Sequence, residues 1–275
     1  MSAPAWECDL VLGLPHTSHR GFSEHHLLKF AGHFQWNAIA AAAGLPLSSL
    51  RTTAGAEVYA SFYYIEVIVP DDAPLESFRL DDTVHFAISL RAFKNIAIEG
   101  RVAVSRGVAI HFANIFITPE KGNSRLRVAP PAQADFSSLP LLPNDENPFQ
   151  LTRAAEESGV LDVIGDGWER AGSFDHRYAI DADRDTNGAG LVYFANYIAF
   201  MDTAERLALQ SLGIDAPMRS LRRRRIAYYG NAEVSDTITV HVEVFRREAS
   251  LAFRYRITRD EDGAMIALSE AIKAR

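Results

Sequence analysis

A chain of 275 residues that is 48% hydrophobic and 23% charged can build one large domain or two ordinary ones. Its net charge of −7 argues against nucleic acid as a partner, and its single cysteine, Cys8, excludes an intramolecular disulfide and a thiolate metal cluster. With no bilayer-length apolar run and no signal-peptide pattern at the start, the expectation is a cytoplasmic protein without a membrane partner.

In chain order, residues 24–43 place Leu27, Phe30, Ala31, Phe34, Ala38 and Ala41 at helical spacing, with Gly44-Leu45-Pro46 as the stop. Beyond Asn37 that helix is apolar on every side, which predicts burial by something that wraps it. Strands are predicted at 58–69, 84–92, 95–104 and 108–118, each rich in β-branched or aromatic residues. Residues 119–148 carry five prolines from Pro130 to Pro148 among serine, asparagine and glutamine, and read as a linker ahead of a short helix at 151–160.

The second half repeats the order of the first. A short strand at 176–180 leads to a helix at 191–212, closed by Gly213, and then to strands at 226–229, 238–246, 250–259 and 264–273. The pairs Asp82-Thr83 and Asp236-Thr237 open equivalent strands. One long apolar helix followed by an antiparallel meander, written twice, predicts an α+β fold. The expected form is a double hot-dog: residues 1–122 as the first domain, 123–150 as linker and 151–275 as the second.

The stretch Asp185-Thr186-Asn187-Gly188-Ala189-Gly190-Leu191-Val192-Tyr193-Phe194-Ala195-Asn196-Tyr197 resembles the loop-to-helix signature of hot-dog thioesterases, in the Thr-Asn-rich version of polyketide-associated enzymes. In the first half, residues 13–24 from Gly13-Leu14-Pro15-His16 onward, with Val58-Tyr59-Ala60-Ser61-Phe62, are similar to the double hot-dog acyltransferase/decarboxylase family of leinamycin-type polyketide biosynthesis. The resemblance covers nearly the whole chain. It implies an enzyme that removes CO₂ from a malonyl or methylmalonyl thioester of coenzyme A and passes the acyl group to the phosphopantetheine of an acyl carrier protein. Coenzyme A and phosphopantetheine would then be parts of substrates, with no resident cofactor, and chains could pair further as homodimers. A hot-dog thioesterase hydrolysing acyl-CoA or acyl-ACP is the alternative, and a non-catalytic acyl-binding protein the third reading.

Decarboxylation leaves an enolate to be stabilised at the thioester oxygen, and each preorganised donor there contributes on the order of 10² to 10³ in rate. Thr186 and Asn187 supply a hydroxyl and an amide just before a helix N-terminus, while Gly188 and Gly190 let backbone approach a ligand; the plainer alternative is that they cap the helix. Tyr193 and Asn196 follow on the same segment as substrate-binding candidates. Tyr59 matches the family position of an acyl-accepting or substrate-orienting phenol, and with an ordinary pKa near 10 and no base beside it the donor role is favoured. His16 and His19 stand in the loop before the first helix as substrate contacts; no third ligand is spaced to make a metal site with them. Arg222, Arg224 and Arg225, within a run of four arginines, are expected at the phosphates of coenzyme A or the acidic face of a carrier protein, or else as charges that blunt a strand edge.

Overall fold

The computed structural model describes residues 6–18, 20–119, 126–188, 190–215 and 220–274. They form two compact units, residues 6–119 with 126–150 in the first and 151–274 in the second.

The first unit begins with β1 (Trp6–Val11), whose side chains alternate between half-buried and exposed. A small hairpin of β2 (Thr17–Ser18) and β3 (Gly21–Phe22) leads to α1 (Glu24–Ala43), with the predicted bounds. Gly44 ends the helix in the left-handed conformation (φ 65°) that glycine adopts without a steric penalty. The strands β4 (Tyr59–Ile68), β5 (Thr83–Phe93), β6 (Ala97–Val104) and β7 (Ala109–Pro119) follow, and β8 (Leu126–Val128) pairs with β7. The antiparallel order is β1-β5-β6-β7-β4.

Strand alternation puts Phe86, Ile88, Leu90, Val102 and Phe112 inside, with Leu27, Leu28, Ala31, Ala38 and Ile39 of α1. Ala41, assigned to that apolar face, is exposed, as is His33. Gln35 is fully buried, donates to Asn114 Oδ1, and lies so close to Gly100 that a Cβ there would fall on its carboxamide. Glycine at position 100 thus sets the approach of helix to sheet.

The second unit continues α2 (Pro148–Ser158) and comprises β9 (Glu169–Ala179), the single turn α3 (Ala182–Asp185), α4 (Asn196–Ser211), β10 (Ser220–Tyr228), β11 (Thr237–Arg247), β12 (Ser250–Arg259) and β13 (Met265–Ala274). Its order is β9-β11-β12-β13-β10, the counterpart of the first unit's strand by strand. The likeness reaches side chains: Asp9 on β1 holds His85 Nδ1 on β5 at 2.8 Å, and Asp175 on β9 holds His241 Nδ1 on β11 at 2.6 Å. No helix among the described residues is long and apolar enough to cross a membrane.

On the face of the first sheet away from α1, the carboxylate of Glu99 is 1% exposed. Arg91 donates to both its oxygens, Arg101 Nη2 is 3.0 Å away, and His111 Nε2 is 2.7 Å away. Burial alone would raise its pKa, but the close contact of His111, the bonds from Arg91 and the charges of His111 and Arg101 outweigh burial and bring it to about 2. A depressed carboxylate stabilises the fold above its unfolded pKa, and that contribution fades as pH falls from about 4.5 toward 2. In urea titrations the gap between the parent and Glu99→Gln should therefore narrow from pH 7 to pH 3. A gap that stays constant would deny this carboxylate its ionised role.

Candidate functional site

The segment leading into α4 is built from short-range bonds. Asp181 caps α3, accepting from the backbone of Asp183 (3.1 Å) and Arg184 (3.0 Å). Asp185 ends that turn at 3% exposure, where its carboxylate accepts from Tyr178 Oη and Asp181 N, both at 2.9 Å. Burial, reinforced by the bond to Asp185, pushes the Tyr178 phenol up to about 12. The chain then folds back on itself. Asn187 N donates to Leu191 O (2.9 Å), Gly190 N to Asn187 O (2.9 Å), and Leu191 N to Asn187 Oδ1 (3.3 Å). Gly190 takes φ 71°, which this reversal requires and glycine supplies at no steric cost. Asn196, 5% exposed, locks the loop from below by donating to Arg184 O (3.1 Å) and Asp185 O (3.0 Å).

The structure thus gathers Thr186, Asn187, Gly188, Gly190, Tyr193 and Asn196 into one loop, in roles that differ from those expected. The helix does not begin at 191: α4 starts at Asn196 with Ala195 as its N-cap, so Thr186 and Asn187 do not stand at its first turn. Thr186 closes α3 instead, donating its hydroxyl to Ala182 O at 2.6 Å. Asn196 reads as a loop anchor, because its amide faces two backbone carbonyls. Gly188 is exposed with open space around it, and Ala189 lies outside the described residues. Tyr193 is half-buried, and burial pushes its phenol up to about 12, so it is a neutral donor at pH 7. Asp185 is buried and accepts from Tyr178 Oη, Asp181 N and, at 3.4 Å, Arg184 Nε, which makes it the loop's internal tether.

The first-half candidates sit in the first unit. Tyr59 Oη donates to Glu57 Oε2 at 2.6 Å, and that bond, then burial, raises its pKa. Sequence reading placed no base beside this phenol; the structure places the Glu57 carboxylate there, and the bond it accepts commits the Tyr59 proton to Glu57. His16 Nδ1 accepts from Gly13 N (2.9 Å) and its ring packs edge-on against Phe30, while His19 lies outside the described residues.

The arginine run needs the largest correction. A register shift between Leu221 and Arg223 breaks the alternation of β10 and turns Arg224 to the helix side. There it is fully buried, 3.8 Å from Asp202 and over the Tyr255 ring. A guanidinium so placed cannot meet a phosphate arriving from solvent. Arg225 donates to Leu161 O at 2.8 Å, and Arg222 stays half-buried on the strand.

What sequence reading missed are the tethers, Tyr178 and Asp181, and the buried carboxylates Glu99 and Glu270. The only signal for the first two was Asp181 placed like a helix cap.

No protein-family model matches the chain, and no curated protein matches it in sequence. Solved structures do match it in fold. An acyl-ACP thioesterase from Bacteroides thetaiotaomicron superposes with a TM-score of 0.66 over 98% of this chain and 97% of its own, at 12% identity. A 12:0-ACP thioesterase from Umbellularia californica does so with a TM-score of 0.61 over 98% and 97%, at 11% identity. The antiparallel sheets and few helices of this chain match hot-dog thioesterase folds.

Proposed function

We propose that this protein is a double hot-dog enzyme that processes acyl thioesters, and that its reaction is hydrolysis. The observation that carries the reading is the pre-set loop at 185–196, which carries Asn187 and Tyr193 and is held by the buried tethers Asp185 and Asn196, on a fold shared over nearly its full length with thioesterases. Fold likeness alone does not specify chemistry, so the weight rests on that loop. Thioester hydrolysis moves negative charge onto the carbonyl oxygen as water adds. A phenol and an amide held by fixed backbone meet that charge without reorganising. Tyr193 serves as donor because a phenol keeps its proton at neutral pH, and burial pushes its pKa further up, to about 12.

Decarboxylating transfer from a malonyl-type coenzyme A thioester to an acyl carrier protein is the second reading, and the likeness of residues 185–197 to the polyketide-associated signature favours it. One experiment separates the two. The purified chain is offered acyl-CoA and acyl-ACP of graded length, and malonyl-CoA and methylmalonyl-CoA with carrier protein, with products read by mass spectrometry. Free acid supports hydrolysis, and CO₂ loss with acyl transfer to the carrier supports the second reading. Asn187→Ala is expected to lower turnover by about 10² in either case, and full turnover in that variant would remove Asn187 from the chemistry.

A further inference from the structure

The face of the first unit's sheet turned away from α1 carries a groove of about 610 Å³, within the range of small-molecule sites. Strand register arranges its side chains in rows. Ala87, Ala103, Ala109 and Ile68 form one row; Ser89, Arg101, His111 and Glu66 form the next; Arg91 and Glu99 begin a third. The three rows run about 14 Å along the strands. One end is floored by alanines, two of them exposed, and the other is charged.

At the charged end two arginines converge on more carboxylate than the strand supplies. Glu99 is sunk beneath them, and the half-exposed Glu146 lies across them, Oε2 at 2.7 Å from Arg91 Nη2 and 3.7 Å from Arg101 Nη2. Glu146 comes from the 3-10 turn at Asn144–Glu146, outside the sheet. A half-exposed ion pair of this kind is weakly held. Lifting Glu146 away leaves two guanidiniums, with His111 beside them, facing one buried carboxylate, so positive charge is in excess next to an apolar floor. Of the other carboxylates on this face, Glu66 stands two strands, roughly 10 Å, from Arg101, and Glu7 and Asp9 stand on β1 opposite Ala87 and His85.

We propose that this groove is a second binding site, for a linear aliphatic carboxylic acid whose carboxylate takes the place of Glu146 on Arg91 and Arg101 and whose tail lies on the alanine row. If the hydrolysis proposed above holds, such an acid is the reaction's own product, and the site would sense its accumulation. The occupancy itself does not rest on that reading.

The test is calorimetric titration of the full chain with dodecanoate below its micelle concentration, with dodecanol as the same tail lacking the carboxylate. Ala103→Phe fills the floor from an exposed position and is expected to weaken dodecanoate at least tenfold while thioester turnover stays parental. Glu146→Gln vacates the clamp and is expected to tighten dodecanoate several-fold, with dodecanol unchanged. The proposal is overturned if the parent takes up no dodecanoate, or if either variant binds it with parental affinity. Failure of hydrolysis in the product assay would leave these titrations as they are, so the two readings fail separately.

Discussion

Replacing Glu270 with alanine is expected to destabilise the second unit by about 3–5 kcal/mol, the usual cost of removing one partner from a buried charge pair. The side chain is fully buried on β13, on the face away from α4. One oxygen accepts from Arg254 Nε at 2.7 Å, the other from Val163 N at 2.9 Å and Ile164 N at 3.2 Å. Truncation leaves two amides without their acceptor and a guanidinium without its closest carboxylate. Arg254→Ala should cost a comparable amount: Glu270 keeps both amide bonds, but its fully buried charge loses the guanidinium that balances it. Urea denaturation measures both, and hydrogen exchange at Val163 and Ile164 locates the effect. A Glu270→Ala protein within 1 kcal/mol of the parent, with those amides still protected, would show that the segment is held by something else, such as its apolar contacts around Leu161, Ala155 and Leu268.

The particular elements show what a sequence displays. α1 was legible to the residue because Ser23-Glu24 and Gly44 bracket an apolar period, and β12 because β-branched and aromatic residues alternate between clear turns. β10 was read four residues long where it has nine, since consecutive arginines argue against a buried strand until a register shift turns one of them inward. β9 was shortened for a similar reason: Ser173, Asp175 and Arg177 mark the solvent side of an edge strand, and a register shift before Gly172 leaves Glu169 and Arg170 both exposed ahead of it. β1 was missed although Trp6, Cys8 and Leu10 alternate with Glu7 and Asp9. The start of α4 was misplaced because Leu191, Val192 and Phe194 are buried and fall in helical register, yet they belong to a loop closed by bonds at Asn187 and Asn196. Periodicity reports which side chains are buried, and several backbones can bury the same ones. The roles of Glu99 and Glu270 were illegible because each is an ordinary polar residue until neighbouring strands and the 163–164 segment bring up its donors, and that of Asp185 because its local donors appear only once α3 turns.

Asp185→Ala is expected to lower turnover by about 10², as much as Asn187→Ala, without the carboxylate touching substrate. A shift of about 1 Å in a positioned group is enough for a loss of that size. The variant removes the acceptor of Tyr178 Oη and of Asp181 N, so the turn that ends in Thr186 and carries Asn187 loses its footing, while Asn196 still holds the Arg184 and Asp185 carbonyls. The orphaned donors add roughly 1–3 kcal/mol of lost stability. Asp185→Asn decides what the carboxylate does. Its amide oxygen can still accept from Tyr178, so a tether retains most of its effect, and the variant should keep kcat within about tenfold of the parent with KM little changed. Tyr178→Phe, which removes the other half of the same bond, should lower kcat to a similar modest extent. If Asp185→Asn is as inactive as Asp185→Ala while both remain folded, the charge itself takes part in the reaction. Asp185 would then be the base that polarises the attacking water, and the loop would have to open to let it.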